Sequence, residues 1–143
     1  MTLAVAEPRP FAEPLDRLKK AGLRPTRQRL ALAKLLFSRG DRHVSAEQLH
    51  AEAKTARVVV SLATVYNTLN QFTRAGLLRE VVVEAGRSYF DTNTSDHHHV
   101  LAVATGSLID IPAGTLAISG LPVVPEGLEV ERVDVVVRLR QKA

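Results

Sequence analysis

The hydrophobic period changes once along this chain, at Gly76, and that change limits the folds open to it. Upstream of Gly76, apolar residues recur at helical spacing. Leu15, Leu18 and Leu23 predict a short helix from Leu15 to about Ala21, stopped by Gly22. Leu30, Ala33, Leu36 and Phe37 carry a second stripe, with Thr26 as N-cap and an end near Ser38. Ser45 to Gln48 fits an S-x-x-Q capping box that opens a third helix to about Lys54. Ser61 caps a fourth, in which Leu62, Val65, Tyr66, Leu69 and Phe72 keep helical spacing until Gly76. Downstream the pattern is Val-rich. Leu77 to Glu84 and Arg87 to Asp91 flank the turn Glu84-Ala85-Gly86-Arg87 and predict a β-hairpin. Short helices followed by a hairpin is the winged-helix order. In that arrangement the helix before the wing, Ser61 to about Arg74, lies in a DNA major groove. Its polar face would be Ser61, Thr64, Asn67, Thr68 and Gln71, short hydrogen-bonding side chains suited to base edges and phosphates. The plainer alternative is an ordinary solvent-facing helix.

The remainder reads as two further pieces. Residues 1–14 form a Pro-rich arm expected to be disordered, ahead of a winged-helix domain over 15–92. Residues 93–143 predict a small sheet: Val100 to Ala104, a Thr105-Gly106 turn, Ser107 to Ile111, and a last strand within Leu128 to Arg140, where Val133, Val135, Val137 and Leu139 alternate. Three Pro and three Gly make a long helix over 112–127 doubtful. So small a sheet has exposed edges and little core, and pairing with a second copy would cover both. A homodimer is therefore expected.

Charge divides along the same line. Residues 1–85 carry 14 Lys/Arg against 8 Asp/Glu, and residues 86–143 carry 5 against 7. The basic half could face a polyanion such as double-stranded DNA. The chain has no cysteine, which excludes disulfides, thiolate catalysis and any cysteine-held metal. No apolar run suits a membrane span or a signal peptide, so a cytoplasmic protein with no membrane partner is expected.

His97, His98 and His99 follow Asp96 at the entrance to a strand. Alternation in an extended segment turns His97 and His99 to one face and His98 to the other. Asp91 and Asp110, on neighbouring strands, could add carboxylates, and His43 lies in a loop between two helices. Nitrogen and oxygen donors of this kind suit Zn2+, Fe2+ or Mn2+. The plainer alternative is a solvated polar loop. His50 lacks such company and reads as an ordinary helix residue. No Gly-rich phosphate loop, H-E-x-x-H or G-x-S-x-G is present, so no enzyme is expected. A metal-dependent hydrolase using the His cluster is the reading from another class.

Leu18 to Arg29, with the sequence LKKAGLRPTRQR, resembles the opening of the ferric uptake regulator family. So do HVSAE (His43–Glu47), LATVYNTLNQF (Leu62–Phe72) and RSYFD (Arg87–Asp91), together with the His run. The resemblance implies a dimeric, metal-responsive transcription regulator. Its α+β fold would be an N-terminal winged helix-turn-helix DNA-binding domain followed by a small α+β dimerisation domain. It implies one regulatory metal site made by His43, Asp91, His97, His99 and Asp110, bridging the two domains. It also implies that Thr64 and Tyr66 touch bases or phosphates and that Arg24 reaches the minor groove or backbone; Ser61 and Asn67 of the polar face and Arg29 of the basic segment are further candidate DNA contacts. Most members hold a structural zinc in two CxxC pairs. Here Ala102 and Thr105 stand at the first pair and the chain ends before the second, so no structural zinc is expected. Ala117 and Val133 likewise replace ligands of an additional His-rich site. The YNTLNQF and SYFDTNTSDHHH segments and the ISGLP tail resemble the iron response regulator branch. That branch implies haem as an effector, held by His97, His98 and His99. A peroxide sensor would share the same Asp-bearing pattern.

Overall fold

The computed structural model describes residues 12–84 and 86–143. The arm expected over 1–14 falls outside these residues up to position 11, as does Ala85 of the predicted turn. The chain divides into two compact units, one of residues 12–82 with 86–94, the other of residues 83–84 with 95–143.

The first unit holds four helices, α1 (Ala12–Lys20), α2 (Arg27–Phe37), α3 (Ala46–Thr55) and α4 (Leu62–Arg74), with strands β1 (His43–Val44) and β3 (Arg87–Asp91) and all but the last two residues of β2 (Arg79–Glu84). Helix α1 starts three residues before the expected Leu15. Pro14 falls in its first turn, where a missing N–H leaves no hydrogen bond unmade. Thr26, Ser45 and Ser61 cap α2, α3 and α4, each side-chain oxygen accepting the amide three residues on, at 3.1–3.2 Å. Each such cap contributes about 1 kcal/mol. Helix α4 ends where the sequence turns to Gly76, whose φ of 81° is the left-handed conformation open to glycine.

Leu18, Leu32, Leu36, Leu49, Val65, Leu69 and Phe72 bring the apolar stripes of the four helices into one core, closed by Val44, Leu78 and Phe90 from the sheet side. The Phe37 and Phe72 rings lie 6.5 Å apart, and the Arg17 guanidinium sits 4.3 Å over Phe37. The sheet order is β1-β3-β2, a winged-helix arrangement in which β2 and β3 form the wing. Strand β1 corrects an expectation: His43 lies on a strand rather than in a loop. Two residues are too few to show a period, so only pairing with β3 reveals it.

The second unit carries β4 (His99–Ala102), β5 (Ser107–Asp110) and β6 (Val136–Leu139), in the order β5-β4-β6. Strands β4 and β5 are antiparallel, and β4 and β6 are parallel. Each strand is shorter than its apolar pattern suggested. Strand β4 stops at Ala102 because residues 103–106 turn, with Gly106 at φ 70° donating to the Ala102 carbonyl at 2.8 Å. Strand β6 occupies only four of the residues 128–140 because β4 offers only four partners, His99 through Ala102. Residues 111–135 hold turns and no helix, so the helices of this α+β fold lie in the first unit. Among residues 95–143 only His99 and Leu101 are buried.

Candidate metal centre and nucleic-acid face

In the first unit the antiparallel register of β1 and β3 sets His43 opposite Asp91. Their side chains meet, His43 Nε2 to Asp91 Oδ2 at 3.2 Å. Asp91 is 1% exposed, and its other oxygen accepts the Asn93 amide at 2.8 Å. A carboxylate buried to this degree needs a positive or hydrogen-donating partner on each oxygen; the Asn93 amide serves one, and the oxygen facing His43 Nε2 needs a proton or a cation between the two. The backbone around His43 is clamped as well. The Arg42 amide donates to Thr92 Oγ1 at 2.8 Å, and the Thr92 amide returns a bond to the Arg42 carbonyl at 3.0 Å. The Arg42 guanidinium grips both oxygens of Glu52 on α3, at 2.8 and 2.6 Å, and reaches the Leu35 carbonyl on α2. Arg42, Glu52 and Thr92 escaped the sequence reading because nothing in their spacing relates them.

The second unit builds its own half-site. Register across β4 and β5 pairs His99 with Asp110. His97 Nε2 and His99 Nε2 converge on Asp110 Oδ1 at 3.2 and 3.4 Å, and the two rings lie 4.5 Å apart. The ligand atoms of these three residues lie within 4.8 Å of one another. His97 Nδ1 sits 2.6 Å from the Ser95 carbonyl, which can only accept. That fixes the proton on Nδ1 and leaves the Nε2 lone pair aimed at a carboxylate oxygen. Two acceptors 3.2 Å apart require a positive charge between them, a proton or a metal ion. Imidazole and carboxylate donors in this number fit a borderline or hard divalent ion such as Mn2+, Fe2+ or Zn2+.

His98 points the other way, as strand alternation predicts, and its Nδ1 accepts the Val135 amide at 3.1 Å. A neutral imidazole has one lone pair, so that bond occupies the nitrogen electrons His98 would offer a haem. His50 behaves as an ordinary helix residue, its Nε2 3.1 Å from the Val60 carbonyl.

Helix α4 presents a face different in part from the one expected. Thr68 is 5% exposed and turned into the core, and Gln71 accepts two bonds from Arg29, at 3.3 and 2.9 Å. Burial of Val65, Leu69 and Phe72 leaves Ala63, Tyr66 and Asn67 outward at i, i+3 and i+4, with Ser61 exposed at the cap and Thr64 half-buried. The Ser61 hydroxyl donates to Thr64 Oγ1 at 2.9 Å. Arg24 is exposed. Arg29, a candidate DNA contact, donates to Gln71 and so ties α2 to α4, and also donates to the Arg24 carbonyl at 2.9 Å. Tyr66 donates its phenol hydrogen to Glu47 at 2.6 Å. That bond holds the Tyr66 phenol above its ordinary range and the Glu47 carboxyl below its own, the latter helped by the Glu47 amide and by Arg87.

Known proteins point the same way. The sequence pattern of the ferric uptake regulator family matches residues 20–136. The ferric uptake regulation protein of Shigella flexneri is 39% identical over 94 residues, 65% of this chain, and the match spans 64% of that relative's length. The fold superposes on the ferric uptake regulator from Pseudomonas aeruginosa solved with manganese, at TM-score 0.66 and 28% identity, over 91% of this chain and 98% of that one. The Vibrio cholerae ferric uptake regulator shares the fold at TM-score 0.68 and 24% identity, over 88% of this chain and 98% of its own.

Proposed function

Because the chain belongs to the ferric uptake regulator family, we propose that it is a metal-responsive transcription regulator that binds operator DNA as a homodimer. The observation that carries this reading is the convergence of His97 and His99 on Asp110, with the His97 tautomer set by Ser95 to offer Nε2. His43 and Asp91, paired in the other unit, complete a five-donor set for one divalent cation. Only five residues separate Asp91 from His97, a reach of about 20 Å at full extension, so ligands from both units can share one ion. The bound cation would supply the positive charge that lets clustered imidazoles and carboxylates coexist. Sharing ligands across two compact units restricts the angle between them. In a dimer that angle sets the spacing of the two α4 helices, so occupancy shifts the population competent for DNA.

Dimerisation is supported by the second unit's own surface. Ile109, Leu121, Leu128, Val137 and Leu139 are exposed, while only two residues of 95–143 are buried. A sheet with so little core gains most of its stability from a partner.

Haem is a second candidate effector, in keeping with the resemblance to the iron response regulator branch. The His98 bond to Val135 and the burial of His99 direct haem ligation to His97, and haem would then compete with the divalent cation. Visible absorption on haem titration, with and without Mn2+, tests this.

The function itself is tested by selection. The purified chain with Mn2+ is expected to enrich, from duplexes with a randomised central stretch, a sequence with two-fold related halves. No enrichment would overturn the DNA reading.

A further inference from the structure

We propose that Glu47 is a positioning residue for sequence reading: it holds the Tyr66 ring in the orientation in which α4 meets DNA. The inference rests on the DNA-binding reading and deepens it. Tyr66 stands in the second turn of α4, on its outward face, 38% exposed. Its ring borders open space. A cavity of about 270 Å³ opens beside it, walled by Ser45 and Glu47 at the start of α3 and by Gly86, Arg87, Ser88 and Tyr89 of the wing. With that space available, one directional contact decides where the ring points, and the only hydrogen bond described for the phenol is the one donated to Glu47 Oε1 at 2.6 Å.

Glu47 is well built to give that contact. It lies in the first turn of α3, where the unpaired amides favour a carboxylate, and the Arg87 charge acts on it from the wing. An ionised acceptor makes the stronger class of hydrogen bond. Helix α3 is itself anchored, with Ala46, Leu49 and Ala53 buried and Glu52 held by Arg42, so its rigidity passes to the ring. A preset ring loses less freedom on docking than a free one, which favours the base edge its orientation matches over others. The opposite view is that Glu47 is merely a negative charge at a surface that meets phosphates.

The two views predict different results for the enriched duplex against a scrambled one, measured with the full chain and Mn2+. Positioning predicts that E47A lowers the affinity ratio about fivefold or more, the low end of what a good base contact contributes. E47Q, whose amide oxygen still accepts the phenol hydrogen, keeps most of the ratio. Y66F resembles E47A, and adding E47A to Y66F changes little more. If E47A and E47Q both tighten binding to the two duplexes equally and leave the ratio unchanged, the proposal is overturned. It is overturned too if E47Q loses the ratio as fully as E47A. Failure of the wild-type chain to prefer any duplex would instead sink the DNA reading beneath it.

Discussion

His97 and Tyr66 show how one hydrogen bond can set what a side chain is able to do. Bonding Nδ1 to the Ser95 carbonyl makes His97 a donor of Nε2 electrons, and bonding the phenol to Glu47 gives Tyr66 an address. The first leads to a prediction about metal. At a hundredfold excess of Mn2+ over its dissociation constant, linkage stabilises the folded chain by about 2.7 kcal/mol. Paired H97A and H99A substitutions are expected to erase that gain in thermal melting while the metal-free chain still melts cooperatively. Retention of the gain would move the site elsewhere. The second leads to a prediction about pH. Glu47 holds Tyr66 above its ordinary value of 10.0, so the bond is intact below that value and is lost as pH rises. Tyr66 in turn holds Glu47 below its ordinary 4.5, so the bond persists above that value and is lost as pH falls through the lowered range. Ultraviolet titration of the phenols is expected to show one of the two tyrosines, Tyr66, moving to lower pH in E47A. An unmoved curve would mean that the bond does not form in solution.

Elements were legible where period and caps agreed. Thr26, Ser45 and Ser61 announced three helices, and Leu62, Val65, Leu69 and Phe72 announced the buried side of α4. The outward side was less legible. Thr68 and Gln71 looked equally polar in sequence, yet one is buried and the other bound by Arg29, because tertiary partners decide which polar residues remain free. Strand β1 was illegible for a related reason: two residues carry no period, and β3 creates the strand by pairing with it. His97, His99 and Asp110 were legible as a group because strand alternation fixes which neighbours share a face, whereas the Arg42 clamp under His43 depends on contacts distant in sequence. Arg29 ties two of these elements together. Its three hydrogen bonds across α2, α4 and the Arg24 carbonyl are partly buried in two cases. R29A is therefore expected to cost about 1–3 kcal/mol in urea unfolding as well as weakening DNA binding. A loss of DNA affinity with no loss of stability would make Arg29 a phosphate contact instead.

The whole molecule joins a unit with a continuous apolar core to one with almost none, and the two differ in charge in the same sense. No helix among the described residues is long and apolar enough to cross a membrane. The basic half gives a prediction about salt: with about six phosphate contacts, log affinity for the enriched duplex falls with log salt at a slope near −5. A flat dependence would be incompatible with docking through the basic unit. The proposed function depends on cation binding at His97 and His99 controlling DNA affinity. Duplex binding by fluorescence anisotropy, with and without saturating Mn2+, tests it most directly in the wild-type chain and in the H97A/H99A double variant. Wild-type affinity is expected to change about 5- to 150-fold, the usual range of coupling between sites, with a ratio near one in the variant. An equal response in both proteins, or none in the wild type, would contradict it.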